Sequence, residues 1–423
     1  MNMQNRCIVA ASAGLHGAIN IPSSKNASMP IIALSCLLKN SRIRIRNLPQ
    51  ITDIDVLLHI FEYLGVTFSW QGNDVILSTP DKALQFDIPD RLSSSLRGSI
   101  YCLPMILSSM GHAKIGRIGG DVIKGRSLTP HINALRGFGI QLNVSNDGLE
   151  LVGRPKRNSE FSIDDHGITA TSLAIMLALT QESESIIHNA SPEIEVNDVI
   201  KIANQYGAKI YRDQSTLIVQ GTLQSGDYTI DLPPDQVVWG TYAIASLITE
   251  GNIVTTAVDS NQISNRYAPI YEALTEAGAL ITSTDKGIAI SGNIERPINI
   301  ETGTYPKFPS DLVPQMMVLM SQLKGESTVV ENLYQQRYDH ASQLEKMGVC
   351  LNVNGNTAII HGSKKPLTGT QVECAGIRES CALILAGLIA EPSTEVNNAA
   401  AVNRGYADIV SDLTNLGANI YWG

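Results

Sequence analysis

Hydrophobic positions along the chain follow two alternating patterns. In the first, apolar residues run almost unbroken for two or three turns, as in SMPIIALSCLL, SLAIMLALT, TYAIASLIT, MMVLMSQL and CALILAGLIA. A helix apolar on every side has no face to offer water, so these segments are predicted to lie inside. Each is followed by a short polar turn and a β-like run such as SRIRIRNLP or ESESIIHNA. In the second pattern a helix-like segment ends in an aromatic or aliphatic residue, then Gly, then a short strand. It reads YLGVTF at Gly65, GFGIQL at Gly139, QYGAKI at Gly207, EAGALI at Gly278, KMGVCL at Gly348 and NLGANI at Gly417. About ten residues later come further β-like runs ending in Gly153, Gly221, Gly292, Gly362 and Gly423. The pair reads as a hairpin whose first glycine caps the preceding helix in the left-handed conformation.

The six capping glycines recur at intervals of 68 to 74 residues, which marks six copies of one unit. That period is too long for an ordinary solenoid repeat, so each copy is expected to be a small α/β subdomain of helix, strand, helix and two-stranded hairpin. Three copies per lobe predict two similar α/β lobes. Pro233 and Pro234 in LPPDQVVWGTY mark the crossing. A ligand is expected in a cleft between the lobes.

Composition narrows the function classes. The 423 residues are 43% hydrophobic and carry a net charge of −9, from 31 Lys+Arg against 40 Asp+Glu. Such a surface is not built to neutralise nucleic acid or an anionic membrane, so an anionic ligand must meet a local cationic site. Six cysteines without a CxxC pair point away from a disulfide framework or zinc site and towards a reducing cytoplasm. No run reaches about 18 apolar residues, so no membrane span is expected. The first residues, with Arg6 and a brief apolar run, imitate a signal peptide only faintly and are read as leading into a strand.

Several polar residues interrupt the starts of the apolar helices: Lys25 and Asn26 in PSSKNASMP, Arg97 in RGSIYCLPMIL, Asp311 in FPSDLVPQ, and Arg378 in RESCALILAG. A helix N-terminus already favours an anion, and a basic side chain there reinforces it. Any one arginine is more often a surface residue, and Asp311 fits a helix cap as well as a general base. Recurrence at equivalent places favours cations converging on one ligand. The segment GRIGGDVIKGR, with Asp121, Lys124 and Arg126, reads as a mobile lid within 111–126 or as a plain glycine-rich turn. It has neither P-loop nor dinucleotide spacing.

Taken together, SSKNASMP, NLPQITDID, LRGSIY, the GGD…GR loop, FPSDLVPQ, QQRYDH, IRESCALILAG and NRGYADI resemble the enolpyruvyl transferase family over essentially the whole chain. The resemblance is greater to the branch acting on UDP-N-acetylglucosamine in peptidoglycan synthesis than to the shikimate branch, whose GTAMR-like stretch is replaced by SSSLRGSIY. It implies an α/β inside-out barrel of two lobes, each of three βαβαββ-like repeats, with 22–232 as the first and 1–21 plus 233–423 as the second. The same resemblance implies small-molecule substrates, phosphoenolpyruvate and a phosphorylated acceptor, with no cofactor and no metal. It also implies roles. Lys25, Arg126 and Arg404, with Arg97 nearby, surround the donor phosphate, and Arg337 and Arg378 grip its carboxylate. Asp311 is the base, Asp121 stands at the lid position of the acid, and Asn26, His131, Thr169, Leu333 and Tyr334 face the acceptor.

The sequence also departs from the family. Asp121 replaces the lid Cys that fosfomycin alkylates, and a carboxylate is a poorer nucleophile than a thiolate. A Pro-Val-Asp-Leu stretch is replaced by Ser127, Leu128, Thr129 and Pro130, a Ser-Val-Gly stretch by Ile168, Thr169 and Ala170, and a Lys by His166. Carboxylates two positions before Arg378 and Arg337 have become Gly376 and Gln335. The donor site is complete and the nucleotide site rewritten. Three readings follow: transfer to UDP-N-acetylglucosamine, the same transfer to another nucleotide such as UMP, or a non-catalytic binding homologue.

Overall fold

The computed structural model describes residues 5–120, 127–164, 167–334 and 337–423. It is an α/β structure in which, among the described residues, six four-stranded sheets share one plan, and Leu367–Thr368 pairs with Ala390–Glu391 in a separate two-stranded ribbon. The second repeat shows the plan. Strand Asp87–Ile88 leads through helix Leu103–Met110 to the parallel strand His112–Ile115. Helix Thr129–Gly137 then leads into the hairpin Gln141–Ser145 and Gly148–Val152, whose second strand pairs antiparallel with His112–Ile115. The six glycines that follow these helices all have φ between +71° and +117°, the left-handed turn that lets the chain leave its helix.

Three sheets are completed by strands distant in sequence. Asp227–Asp231 lies parallel to Arg42–Arg46, and His16–Asn20 lies parallel to Asn252–Thr256. The last repeat corrects the expected hairpin at IYWG. Asn419–Trp422 is the first strand of that pair, and its partner is Arg6–Ala10, with Cys7 opposite Trp422 and Ile8 opposite Tyr421. The apolar run after Arg6 is therefore an interior strand, bonded to Thr394–Asn397 on its other side. A strand there satisfies two rows of backbone donors and acceptors that the chain end could not pair by itself.

Two compact units emerge, one running from Ser23 to Pro233 and the other combining the residues up to Pro22 with Pro234–Gly423. In the first, helices Lys25–Ser35, Leu103–Met110 and Ile168–Leu179 pack together, and every residue from Ala170 to Leu179 is buried. In the second, helices Gln236–Ile248, Val313–Ser321 and Ile377–Gly387 do the same. Each Leu, Ile or Met wholly removed from water there contributes about 1.5–3 kcal/mol. Such helices can present polar groups only at their ends, which is where the candidate residues lie. No described helix is long and apolar enough to cross a membrane.

Candidate active site

The 3₁₀ turn Ser310–Leu312 precedes helix Val313–Ser321 and carries Asp311. Neither start has a side-chain cap, so Asp311 is not the cap residue its position suggested. Its carboxylate instead bridges two arginines. Arg337 Nη2 donates to Oδ1 at 2.9 Å, and Arg378 Nη2 donates to Oδ2 at 2.6 Å. The arginine side chains are only 8% and 10% exposed, against 29% for Asp311, so the carboxylate is the wetter partner. Arg337 is further fixed by Nε donating to Ser310 Oγ at 3.0 Å and by its guanidinium lying 5.1 Å from the Tyr334 ring centroid.

Burial opposes the charge on Arg378, but the Asp311 carboxylate, with Tyr406 and Asp235 behind it, more than offsets that and holds its pKa above the ordinary value. Asp235 caps helix Gln236–Ile248 through hydrogen bonds from Val237 N and Val238 N, at 2.8 and 3.1 Å. Tyr406 OH shares a hydrogen bond of 2.7 Å with Thr241 Oγ1, which anchors the residues beyond Arg404 in the buried core. Arg404 ends the 3₁₀ turn Ala399–Arg404, and the next residue passes close to the site. A Cβ on Gly405 would stand 2.8 Å from Ile377 Cγ2 and 3.7 Å from Arg378 Nη1. Glycine is what allows this approach.

The other unit holds a second set. Lys25 opens helix Lys25–Ser35, is 10% exposed, and pairs with Asp53 Oδ2 at 2.6 Å. Asp53 comes from the first turn of helix Thr52–Tyr63 and is 5% exposed. Asn26, half-buried, is the second residue of the lysine's helix. Arg97 opens the 3₁₀ turn Arg97–Cys102 and donates from Nη2 to the Ser127 carbonyl at 2.6 Å. His131, buried in helix Thr129–Gly137, shares a 2.8 Å hydrogen bond between Nε2 and Thr169 Oγ1. Two of the expected acceptor residues, His131 and Thr169, are thus direct partners. Leu333 and Tyr334, the remaining acceptor candidates, sit beside Arg337, with Leu333 exposed.

Of the lid expected over 111–126, His112–Ile115 is an ordinary interior strand of its sheet. The stretch Gly116–Gly120 is tied down by Arg117, which donates from N and Nε to Asp90 Oδ1, each at 3.0 Å, and from Nη2 to Asp90 Oδ2 at 2.7 Å. Gly119 donates to the Ser93 carbonyl, and any Cβ on it would overlap Ser94 O. Asp121, Lys124 and Arg126 lie outside the described residues, as do His166 and Gln335. All six cysteines are free and only Cys350 is exposed. Burial pushes the thiols of Cys374 and Cys381 up to about 11. Among the described residues no cluster of His, Cys, Asp and Glu is arranged to hold a metal.

Asp53, Asp235, Ser310 and Glu331 escape a sequence reading focused on cations, since each acts through a partner distant in the chain. Asp53 in NLPQITDID, Asp235 in LPPDQVVWGTY and Ser310 in FPSDLVPQ stood in segments already singled out, whereas Glu331 did not.

Comparison with known proteins identifies the family. The family model described as EPSP synthase (3-phosphoshikimate 1-carboxyvinyltransferase) matches residues 9–413. A protein of Idiomarina loihiensis named UDP-N-acetylglucosamine 1-carboxyvinyltransferase is 33% identical over 413 residues, 96% of each chain. A protein of the same name from Chlorobaculum parvum is 30% identical over 420 residues, 98% of each chain. Among solved structures, the enolpyruvyl transferase NikO from Streptomyces tendae superposes with a TM-score of 0.87 at 20% identity, over 98% of both chains. EPSP synthase from Acinetobacter baumannii gives a TM-score of 0.76 at 16% identity, over 98% of this chain and 99% of that one. The chain belongs to the EPSP synthase family and is an enolpyruvyl transferase.

Proposed function

We propose that the enzyme transfers the enolpyruvyl group of phosphoenolpyruvate to a hydroxyl of UDP-N-acetylglucosamine, releasing phosphate, as a step of peptidoglycan precursor synthesis. The observation that carries this reading is the full-length similarity, at 30 to 33% identity, to relatives bearing that activity in their names. Six unpaired cysteines fit a reducing compartment such as the cytoplasm.

In this reading the Arg337 and Arg378 forks hold the donor carboxylate, for which paired guanidinium groups are well shaped. Lys25, Arg97, Arg126 and Arg404 serve its phosphate. Asp311 takes the proton of the acceptor hydroxyl as its oxygen attacks C2 of the donor. An acid protonates the methylene carbon, and Asp121 fills that role where relatives use a thiol. Phosphate then leaves C2 of the tetrahedral intermediate as the new methyl group gives up a proton, which restores the carbon–carbon double bond in the carboxyvinyl product. Asn26, His131, Thr169, Leu333 and Tyr334 contact the acceptor.

A second reading keeps the chemistry and changes the acceptor to a nucleotide such as UMP. It is favoured by Ile168, Thr169 and Ala170 in place of the diphosphate-binding stretch and by the loss of acidic residues at Gly376 and Gln335. Mass spectrometry of parallel reactions with phosphoenolpyruvate separates the two. A carboxyvinyl adduct on UDP-N-acetylglucosamine supports the first reading, and an adduct on UMP alone replaces it with the second.

A further inference from the structure

Behind Arg337 lies a carboxylate that the chemistry above does not use. Glu331 is 1% exposed, although an isolated carboxylate in such a place is strongly disfavoured. Three donors compensate it. Oε1 accepts from Leu333 N at 2.8 Å and from Tyr334 N at 2.9 Å. Oε2 accepts from Ser310 Oγ at 2.8 Å, and that hydroxyl in turn accepts from Arg337 Nε at 3.0 Å. The direction of this chain is set by chemistry. An ionised carboxylate can only accept, so the Ser310 hydrogen points to Glu331 and its lone pair is left facing the guanidinium.

We propose that Glu331 is a positioning residue that fixes two parts of the site at once. Through Ser310 it sets the rotation of the Arg337 fork, and through the two amides it sets the turn presenting Leu333 and Tyr334. The Tyr334 ring lies under the Arg337 guanidinium, and Arg337 N donates to the Tyr334 carbonyl at 2.9 Å, so the two parts share a boundary. Ser310 also neighbours Asp311, which takes the other end of the same guanidinium. Glu331→Gln reverses this order: an amide that still accepts from the two backbone N–H groups must turn its NH2 towards Ser310, and the hydroxyl loses its acceptor. The inference rests on Arg337 holding the donor carboxylate.

The test uses Glu331→Gln, Ser310→Ala and their double variant in the full-length enzyme, with Arg337→Ala as reference. Each single variant is expected to raise KM for phosphoenolpyruvate about tenfold with kcat changed less than about threefold, the loss of one charge-assisted hydrogen bond relayed through a neighbour. The double variant is expected to match the more severe single one, because both act through one chain. Exchange of the Arg337 Nε–H with water, followed by NMR of arginine-labelled protein, should be slow in the wild type and faster in both variants. Unchanged KM in both single variants while Arg337→Ala raises it, or fully additive losses, overturns the relay. If Arg337→Ala leaves KM unchanged, the donor assignment fails instead. The exchange rate then decides the relay alone, and equal rates in wild type and Glu331→Gln reject it.

Discussion

Arg378 Nη2 and Asp311 Oδ2 meet at 2.6 Å, closer than the 2.9 Å at which Arg337 Nη2 meets Oδ1 of the same carboxylate. The base assigned to the acceptor hydroxyl is thereby held by the same two side chains assigned to the donor carboxylate. A carboxylate ligand entering between the arginines competes with Asp311 for their N–H groups, and an Asp311 released from them is better able to accept a proton.

Asp311→Asn keeps the shape and removes the competing charge. We expect kcat to fall by about 10²–10⁴, the usual share of a general base, while phosphoenolpyruvate binds at least as tightly as to the wild type. Calorimetric titration of the donor checks this. Weakened donor binding would show that Asp311 holds the arginines in place and does not compete for them.

Lys25 and Asp53 form a pair almost withdrawn from solvent. Asp53→Ala leaves a buried ammonium facing the end of a helix that is itself positive. A loss of about 3–5 kcal/mol in unfolding free energy is expected, read as a lower denaturant midpoint. Lys25→Met with Asp53→Leu should recover much of that stability, though not activity.

His340 supplies a pH dependence of stability. It is 2% exposed, and among the described residues neither ring nitrogen meets hydrogen-bond geometry. Burial pushes its pKa down to about 4, while the backbone of Arg337 favours the charged ring slightly and its guanidinium opposes it. The unfolded chain, with an ordinary imidazole near 6.5, takes up the proton first as pH falls. The contribution of His340 is therefore complete above about pH 6.5 and drains away towards pH 4, by about 3 kcal/mol in all. Denaturant unfolding at pH 7.5 and 5.0 should show this loss in the wild type and much less of it in His340→Leu.

The repeat was legible in the sequence because it is written in local physics. Gly65, Gly139, Gly207, Gly278, Gly348 and Gly417 must all turn left-handed, and the helices between them lack a polar face. The starts of those helices likewise pointed to Lys25, Arg97, Asp311 and Arg378 as polar residues at buried ends. Long-range pairing was hidden. Nothing near Cys7 tells that it will lie opposite Trp422, and nothing near Glu331 tells that its carboxylate will meet Ser310. Asp311 was ambiguous for the same reason, since a cap is local and a bridge to Arg337 and Arg378 is not.

The family resemblance puts Asp121 at the lid position of the thiol that fosfomycin alkylates. The buried thiols Cys374 and Cys381, held near 11, offer no substitute nucleophile. We expect the enzyme to keep its intact mass and its activity after incubation with fosfomycin, and Asp121→Cys to gain a covalent adduct.

Phosphate release from phosphoenolpyruvate in the presence of acceptor, compared between wild type and Arg378→Ala, tests the donor site most directly. The wild type should liberate phosphate only when acceptor is present, and Arg378→Ala should lose about 10²–10³ in kcat/KM for phosphoenolpyruvate while staying folded, as expected for truncating one partner of a buried charge pair. A folded Arg378→Ala enzyme with unchanged kcat/KM for phosphoenolpyruvate would contradict the account.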